Sequence, residues 1–232
     1  MKSLLLFSQL TVLLSLFFTT LAQAGTTNTG IIVGGGGCVR GNGIRKSVER
    51  KLAEFTILET SGAFTVHIIS GVAKQQVKIT GDANILPLIS TITQGNKLVV
   101  ATEGSICTEL GITLDINAID LQALITNGSD TIKVQGIDTP KFALDMGGSG
   151  DVELVGHARA LSANLSGAGD LDAKNLKTQD CDLNISGSST ANVYATEKLK
   201  IEIIGAADVN YFGHPKKIEK QILGAGDINA RD

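Results

Sequence analysis

Five aspartates recur in the second half of this 232-residue chain, three of their intervals being 19 to 21 residues and one twice as long, and they are the strongest candidates for chemistry. If they stack on successive turns of a repetitive fold, neighbouring carboxylates would lie about 5 Å apart and could attract a cation. One hypothesis is therefore a weak Ca²⁺ site at Asp151 and Asp170, and another is the paired carboxylates of a polysaccharide-cleaving enzyme. We favour a third, in which each aspartate caps a turn by accepting backbone N–H groups, and so we predict no catalytic or metal-binding residue. The five are Asp130, Asp151, Asp170, Asp208 and Asp227.

Each of these aspartates ends a repeated turn signal of the type Gly-small-x-Asp, written Gly-Ser-Asp at 128–130, and Thr190 takes the place of the aspartate in one repeat. The first glycines of the six motifs are separated by 20, 19, 20, 18 and 19 residues. A fixed period near 19 is typical of a supersecondary unit that buries its apolar face by stacking on the next unit. We predict that the six glycines form the turns, and they are Gly128, Gly148, Gly167, Gly187, Gly205 and Gly224.

The residues between these turns alternate between apolar and polar types, as in Cys181, Leu183 and Ile185 with Asp182 and Asn184 between them. Such alternation indicates half-buried strands. We therefore predict an all-β fold, a β-solenoid or β-helix-like stack of two-strand coils of about 19 residues. A β-sandwich would show hairpins of varying length, and a leucine-rich repeat would show its Asn/Leu signature.

The composition agrees with narrow stacked coils and excludes several classes of protein. The chain has 27 Gly and no Trp, which suits tight turns around an interior of small aliphatic side chains. Its 43% hydrophobic content excludes a disordered chain, and its net charge of −3 argues against a strongly basic nucleic-acid binder.

The first half of the chain is β-rich but less regular. Strand-like runs lie at residues 55–58, 65–69, 76–80, 97–101, 112–116 and 121–125, and residues 82–93 are predicted to hold a short helix with Pro87 near its first turn. We divide the chain into a signal peptide (1–24), an irregular arm (25–43), this N-terminal half (44–126) and the repeat half (127–232).

The signal peptide is predicted from Lys2, the apolar run of residues 4–21 and the cleavage site Ala22-Gln23-Ala24. We therefore expect an exported protein of the periplasm, the outer surface or the medium, with no membrane span after cleavage. An exported protein can hold disulfides. Cys38 and Cys107 are the candidate pair because both lie in turn-rich surroundings, whereas Cys181 falls within an alternating run and is predicted to be a buried free thiol.

Several segments, and the order in which they follow one another along the chain, resemble the bacterial family described as "putative auto-transporter adhesin, head GIN domain". They are residues 59–66, 81–86 and 95–98, the Ser-Gly-Ala-Gly-Asp turns, and residues 211–215, so that the resemblance runs from about Arg40 to Asp227. The resemblance implies an exported β-helix-like protein and carries over no catalytic residue.

We expect a non-catalytic binding or scaffold protein that needs no cofactor and binds no nucleic acid. Long solenoid faces present polar ladders suited to extended partners, here an envelope polysaccharide or a surface protein. A polysaccharide-active enzyme using stacked carboxylates is the alternative, and self-association at the exposed last coil is a third interpretation. The predicted ladder is Glu153, Asp172, Asn192, Asn210 and Asn229.

Overall fold

The computed structural model describes residues 33–34 and 37–232, so the predicted signal peptide lies outside the described residues. No helix within these residues is long and apolar enough to cross a membrane, since a single 3₁₀ turn (Leu86–Leu88) is the helical element there. The strands are β1 (Val33–Gly34), β2 (Cys38–Arg40), β3 (Arg45–Arg50), β4 (Ile57–Ser61), β5 (Phe64–Ser70), β6 (Gln76–Asp82), β7 (Ile89–Gln94), β8 (Lys97–Thr102), β9 (Ile106–Cys107), β10 (Ile112–Ala118), β11 (Ala123–Gly128), β12 (Thr131–Gly148), β13 (Asp151–Gly167), β14 (Asp170–Tyr194), β15 (Lys198–Phe212), β16 (Lys217–Ala225) and β17 (Ile228–Ala230).

Apart from β1, β2 and β9, these strands build two sheets that share one apolar core, and this confirms the predicted β-solenoid-like fold, with about five turns. Strands β12 to β15 are long because the chain runs round a corner of the solenoid without a break in the pairing. We call the two sheets face A and face B. Face A holds β3, β6, β10, β5, β17 and the segments 131–135, 151–155, 170–174, 190–194 and 208–212, whereas face B holds β7, β8, β4, β11, β16 and the segments 141–148, 160–167, 180–187 and 198–205.

The six predicted turn glycines stack directly on one another in the parallel register, from Gly128 to Gly224. The column begins one coil earlier, because a Cβ added at Gly128 would meet the backbone of Gly62. Gly167 shows why glycine is required: its φ of +129° disfavours other residues, and an added Cβ would collide with the carbonyl oxygen of Gly148. The period near 19 is therefore the spacing of a corner at which successive backbones touch.

The first half of the chain enters the same two faces, but its strands do not follow the order of the sequence. On face A, β10 lies between β5 and β6, and its pairing with β6 is antiparallel. On face B, β11 lies between β4 and β12, and β8 pairs with β4 on the other side. The sequence therefore shows no repeat here, although the cross-section of the solenoid is the same.

The short helix predicted within residues 82–93 is only a single turn. One 3₁₀ turn (Leu86–Leu88) contains Pro87, and the chain then continues as strand β7, which forms a hairpin with β8. The β-branched residues of Ile89–Gln94 favour a strand, and the pairing with β8 decides between the two structures. In the predicted arm, β2 pairs with β1 and with β9 in a small separate sheet.

The core is filled mainly by Leu, Ile and Val from the inward positions of both faces. At the C-terminal end of the solenoid no further coil covers β16 within the described residues, so Ile218 and Ile222 remain 39% and 41% exposed although their neighbours Leu199 and Ile203 are buried. Lys220 stands between them at the inward position next to Ile201, with its ammonium 4.9 Å from the centre of the Tyr211 ring. A charge at an inward position protects an open edge from further pairing.

Candidate functional site

Four of the five repeated aspartates lie on one outward column at the edge of face A. Asp151 and Asp170 are direct neighbours in the register, Thr190 follows, and Asp208 is paired with Thr190. The N–H of Thr190 donates to Asp170 Oδ1 at 2.8 Å, and the N–H of Asp227 donates to Asp208 Oδ1 at 3.3 Å. These carboxylates therefore bind the backbone of the next coil, as a capping side chain does.

Asp130 does not belong to this column, contrary to the even spacing of the motifs. Thr131, not Asp130, is the register neighbour of Asp151, and the Asp130 side chain points into the protein and is fully buried. Its carboxylate accepts hydrogen bonds from Thr60 Oγ1 at 2.7 Å, from Thr126 Oγ1 at 2.9 Å and from the N–H of Phe64 at 2.8 Å. A buried carboxylate with three donors is a structural anchor that ties β4, β5 and β11 to the start of the repeat half.

Asp151 and Asp170, the two Ca²⁺ candidates, are exposed and border a shallow groove of about 360 Å³ on face A. Lys133, Glu153 and Asp172 line the same groove. Within residues 33–34 and 37–232, no group of three or more His, Cys, Asp or Glu is arranged to hold a metal ion. The groove thus offers a row of side-chain acceptors that runs along the solenoid.

The predicted polar ladder lies on face A, in the outward-facing column next to the column of aspartates. Glu153 is the register neighbour of Asp172, and Asn192, Asn210 and Asn229 are successive neighbours further along. Asp172 and Asn192 line the same groove, and the hydrogen bond between Thr190 and Asp170 sets their two segments side by side. The chain therefore brings all five predicted ladder residues together as one row.

One hydrogen bond joins two members of this row, and residues beside the row hold Asn210 and Asp172. Asn210 Nδ2 donates to Asn192 Oδ1 at 2.9 Å, and Arg231 Nε donates to Asn210 Oδ1 at 2.9 Å. Lys174 Nζ lies 2.8 Å from Asp172 Oδ2 and donates a hydrogen bond to this carboxylate. The hydrogen bond and the attraction of the negative charge raise the pKa of Lys174 above its ordinary value. The side chains of Asp172, Asn192 and Asn210 are thus held in place before any partner arrives, which lowers the conformational entropy lost on binding.

The row extends further than the repeats indicate, into the first half of the chain. Lys133 is the register neighbour of Glu153 and of His67, and Asp115 is the neighbour of His67 and of Lys78. Ion pairs join Lys133 to Glu153 at 2.9 Å and Lys78 to Asp115 at 3.0 Å. No sequence repeat reveals His67, Lys78 and Asp115, because β5, β6 and β10 meet out of sequence order. Lys133 belongs to the repeat half, but the shorter motif at Asp130 displaces it by one residue from the position that matches Glu153.

The N-terminal edge of the described chain is fastened by a disulfide and by a buried carboxylate. Cys38 and Cys107 form a disulfide that joins β2 to β9, with their Cα atoms 5.7 Å apart. Asp82 is 1% exposed and accepts a hydrogen bond from the N–H of Gly43 at 2.6 Å and another from Thr108 Oγ1.

Cys181 is a buried free cysteine. Burial raises the pKa of its thiol to about 12, and the nearby Asp182 carboxylate adds to the effect. A thiol with so high a pKa is a poor nucleophile at neutral pH, so Cys181 acts as a small core residue.

The fold and the face together define a class of protein: an all-β, β-solenoid-like protein with a polar row along one face. The profile of the family described as "putative auto-transporter adhesin, head GIN domain" matches residues 54–215, and the chain belongs to this family. No curated protein matches the chain.

Solved structures share this fold. A "putative adhesin" from Bacteroides fragilis is 19% identical, with a TM-score of 0.70 over 83% of this chain and 100% of that one. A "putative adhesin" from Parabacteroides merdae is 16% identical, with a TM-score of 0.53 over 84% of this chain and 99% of that one. A "putative lipid binding protein" from Parabacteroides distasonis is 20% identical, with a TM-score of 0.51 over 84% of this chain and 99% of that one. At these identities the comparison shows the fold alone.

Proposed function

We propose that this protein is an exported, non-enzymatic, adhesin-like scaffold that binds an extended surface partner along the polar row of face A. The observation that carries the proposal is the row itself, in which Glu153, Asp172, Asn192, Asn210 and Asn229 stand on consecutive coils. Coils repeat about every 4.8 Å, so the row presents polar groups at regular intervals to a linear partner. Membership of an adhesin family agrees with this function.

The turn carboxylates favour binding over catalysis. Asp170 and Asp208 each accept a backbone N–H of the next coil, and Asp151 and Asp170 are exposed along an open groove. A glycosidase instead needs two carboxylates facing each other across a bound sugar, about 5–10 Å apart, and one of them must have a raised pKa. The candidate partners are an envelope polysaccharide and a surface protein.

A comparison of the two faces tests the proposal. The purified chain is incubated with immobilised envelope polysaccharide and with surface-protein extract, and retention and released products are both recorded. We expect retention without product, and a loss of retention in the double variant Asn192→Ala/Asn210→Ala. The matched control is Asn164→Ala/Asn184→Ala, which removes a similar pair of amides joined by a 3.1 Å hydrogen bond on face B.

Two results would overturn the proposal. Equal retention of the face A and face B variants would show that the row is not the binding surface. Product release that disappears in Asp151→Asn or Asp170→Asn would show that the protein is an enzyme.

A further inference from the structure

Among the described strands of six or more residues, three pair on one side only and so form the open edges of the solenoid: β3, β7 and β16. Two of these edges are protected by charge. β3 reads RKSVER, and β16 carries Lys217, Glu219 and the inward Lys220. Charged side chains on an edge discourage pairing with another strand.

The third edge, β7, has no such protection from its own residues. Its sequence ISTITQ contains no charged residue, no Pro and no Gly, and four of its six residues are β-branched. Ile92 at its centre is 51% exposed on the outer side of the sheet. An uncharged, β-branched edge of this kind is a template for pairing with a further strand.

The pairing with β8 determines which backbone groups of β7 are free. Gln94 and Lys97 close a two-residue hairpin turn, so Gln94, Ile92 and Ser90 exchange hydrogen bonds with β8. Along an antiparallel strand, successive residues direct their backbone groups to opposite sides. The carbonyl of Asn96, next to Lys97, accordingly faces away from β7 and accepts hydrogen bonds from the N–H groups of Thr56 and Ile57. The N–H and C=O groups of Thr91 and Thr93 therefore point to the open edge.

Arg50 closes the beginning of this edge. Its Nη2 donates to the carbonyl of Leu86 at 3.0 Å and to that of Ile89 at 3.4 Å. Ile89 would otherwise be the third residue with a free carbonyl, so the open part of the edge centres on Ile92.

We propose that β7 pairs with β7 of a second copy of this chain, antiparallel and about a two-fold axis through Ile92. Thr91 of each copy then bonds Thr93 of the other, which forms four backbone hydrogen bonds. The two Ile92 side chains come into direct contact as a non-hydrogen-bonded pair, with Cα atoms about 4.5 Å apart. Pairing β7 with a second β7 brings no charged side chain into the contact. Pairing β7 with β3 or β16 would place charged side chains next to the Ile and Thr side chains of β7.

The pairing is weak by itself and gains strength at a surface. One six-residue strand buries less than the roughly 800 Å² per partner of a standard interface, so we expect a weak dimer that forms at high protein concentration. A two-fold axis perpendicular to the sheet leaves both copies of face A on the same side. The dimer therefore presents two polar rows to one surface and raises avidity for any partner of that face. Dimerisation does not depend on the proposed function.

Sedimentation equilibrium of the purified chain over a wide concentration range tests the dimer. We expect a monomer–dimer equilibrium that weakens on the order of tenfold or more in Ile92→Lys, because the variant sets two like charges directly opposite each other. The matched control is Ile69→Lys, which changes an isoleucine of similar exposure (49%) on face A and should leave the equilibrium unchanged.

Cross-linking gives an independent readout of the register. Ile92→Cys should form an intermolecular disulfide under mild oxidation, because facing Cβ atoms in such a pair lie close enough to bridge. Ile69→Cys should not form it at a comparable rate. A chain that stays monomeric at millimolar concentration, equal cross-linking of the two cysteine variants, or a dimer that survives Ile92→Lys would each overturn the proposal.

Discussion

The two halves of this molecule build one cross-section in different ways. In the repeat half, consecutive coils stack in the order of the sequence, and every coil uses the same glycine corner and outward polar positions. In the first half the strands enter out of order, with antiparallel neighbours at both edges, and individual contacts hold them: the carboxylates of Asp82 and Asp130 and the disulfide. A repeated coil stabilises itself through its neighbours, whereas an irregular region needs specific anchors.

This difference predicts how each half responds to damage. A change at the glycine corner affects two coils at once, and a change at an anchor affects one junction. The polar row crosses both halves on the surface and should contribute little to folding. The following variants test that ranking, in order of expected effect.

Gly167→Val should have the largest effect, a loss of about 5 kcal/mol or more in the free energy of unfolding. The added side chain meets the carbonyl of Gly148 and must also adopt a φ of +129°. Gly104→Val is the control, because Gly104 also has a positive φ (+78°) but an added Cβ would meet nothing within 4 Å. Chemical denaturation of both variants measures the difference, and similar losses would show that contact between coils is not the cause.

Replacing both Cys38 and Cys107 by Ser should cost about 4 kcal/mol by the chain-entropy relation, since the disulfide closes a separation of 69 residues. Denaturation curves of the wild type and the variant provide the measurement.

A thiol titration checks the pairing of Cys38 with Cys107. The native chain should show no reactive thiol, because Cys181 is buried and its pKa is raised to about 12, and the unfolded, unreduced chain should show one. Three thiols in the unfolded chain would contradict the disulfide.

Asp130→Ala should cost about 3 kcal/mol, because it leaves the two threonine hydroxyls and the N–H of Phe64 buried without their acceptor. Asp151→Ala, one repeat further on but exposed, should stay within about 0.5 kcal/mol of the wild type. Equal unfolding free energies for the two variants would mean that the five aspartates are equivalent, as their spacing in the sequence suggests.

Asn210→Ala should have the smallest effect, below about 1 kcal/mol, since it removes hydrogen bonds at a solvent-accessible row. Thermal unfolding measures it, with Asn184→Ala on face B as the reference. A loss as large as that of Asp130→Ala would show that the row is a structural element of the core instead of a binding surface.

The repeat half could be predicted from the sequence because one local rule determines it. Glycines spaced near 19 mark a corner, and alternation between them assigns each side chain to the inside or the outside, so the stacking of Asn192, Asn210 and Asn229 follows. The order of β5, β6 and β10 could not be predicted, because non-local pairing and not local pattern decides which strands become neighbours. His67 was missed as a member of the row for this reason, and Lys133 was missed because the motif before it is one residue shorter than the others.

Asp130 shows the limit of motif reading at a single residue. Its motif, Gly-Ser-Asp, is one residue shorter than Gly-Ser-Gly-Asp at 148–151, and in a strand a shift of one residue turns a side chain to the opposite side. The same residue type is therefore a buried anchor in one coil and a surface cap in the next.

The stacked glycine corner has a consequence for how such proteins can change in evolution. Each unit of about 19 residues contributes one corner and one rung, so the gain or loss of a unit by unequal duplication would lengthen or shorten face A by a fixed step of about 4.8 Å. The cross-section, the core and the protecting Lys220 at the last coil would stay as they are. The number of repeat units then sets the length of the proposed binding surface, and this length can change while the fold stays the same.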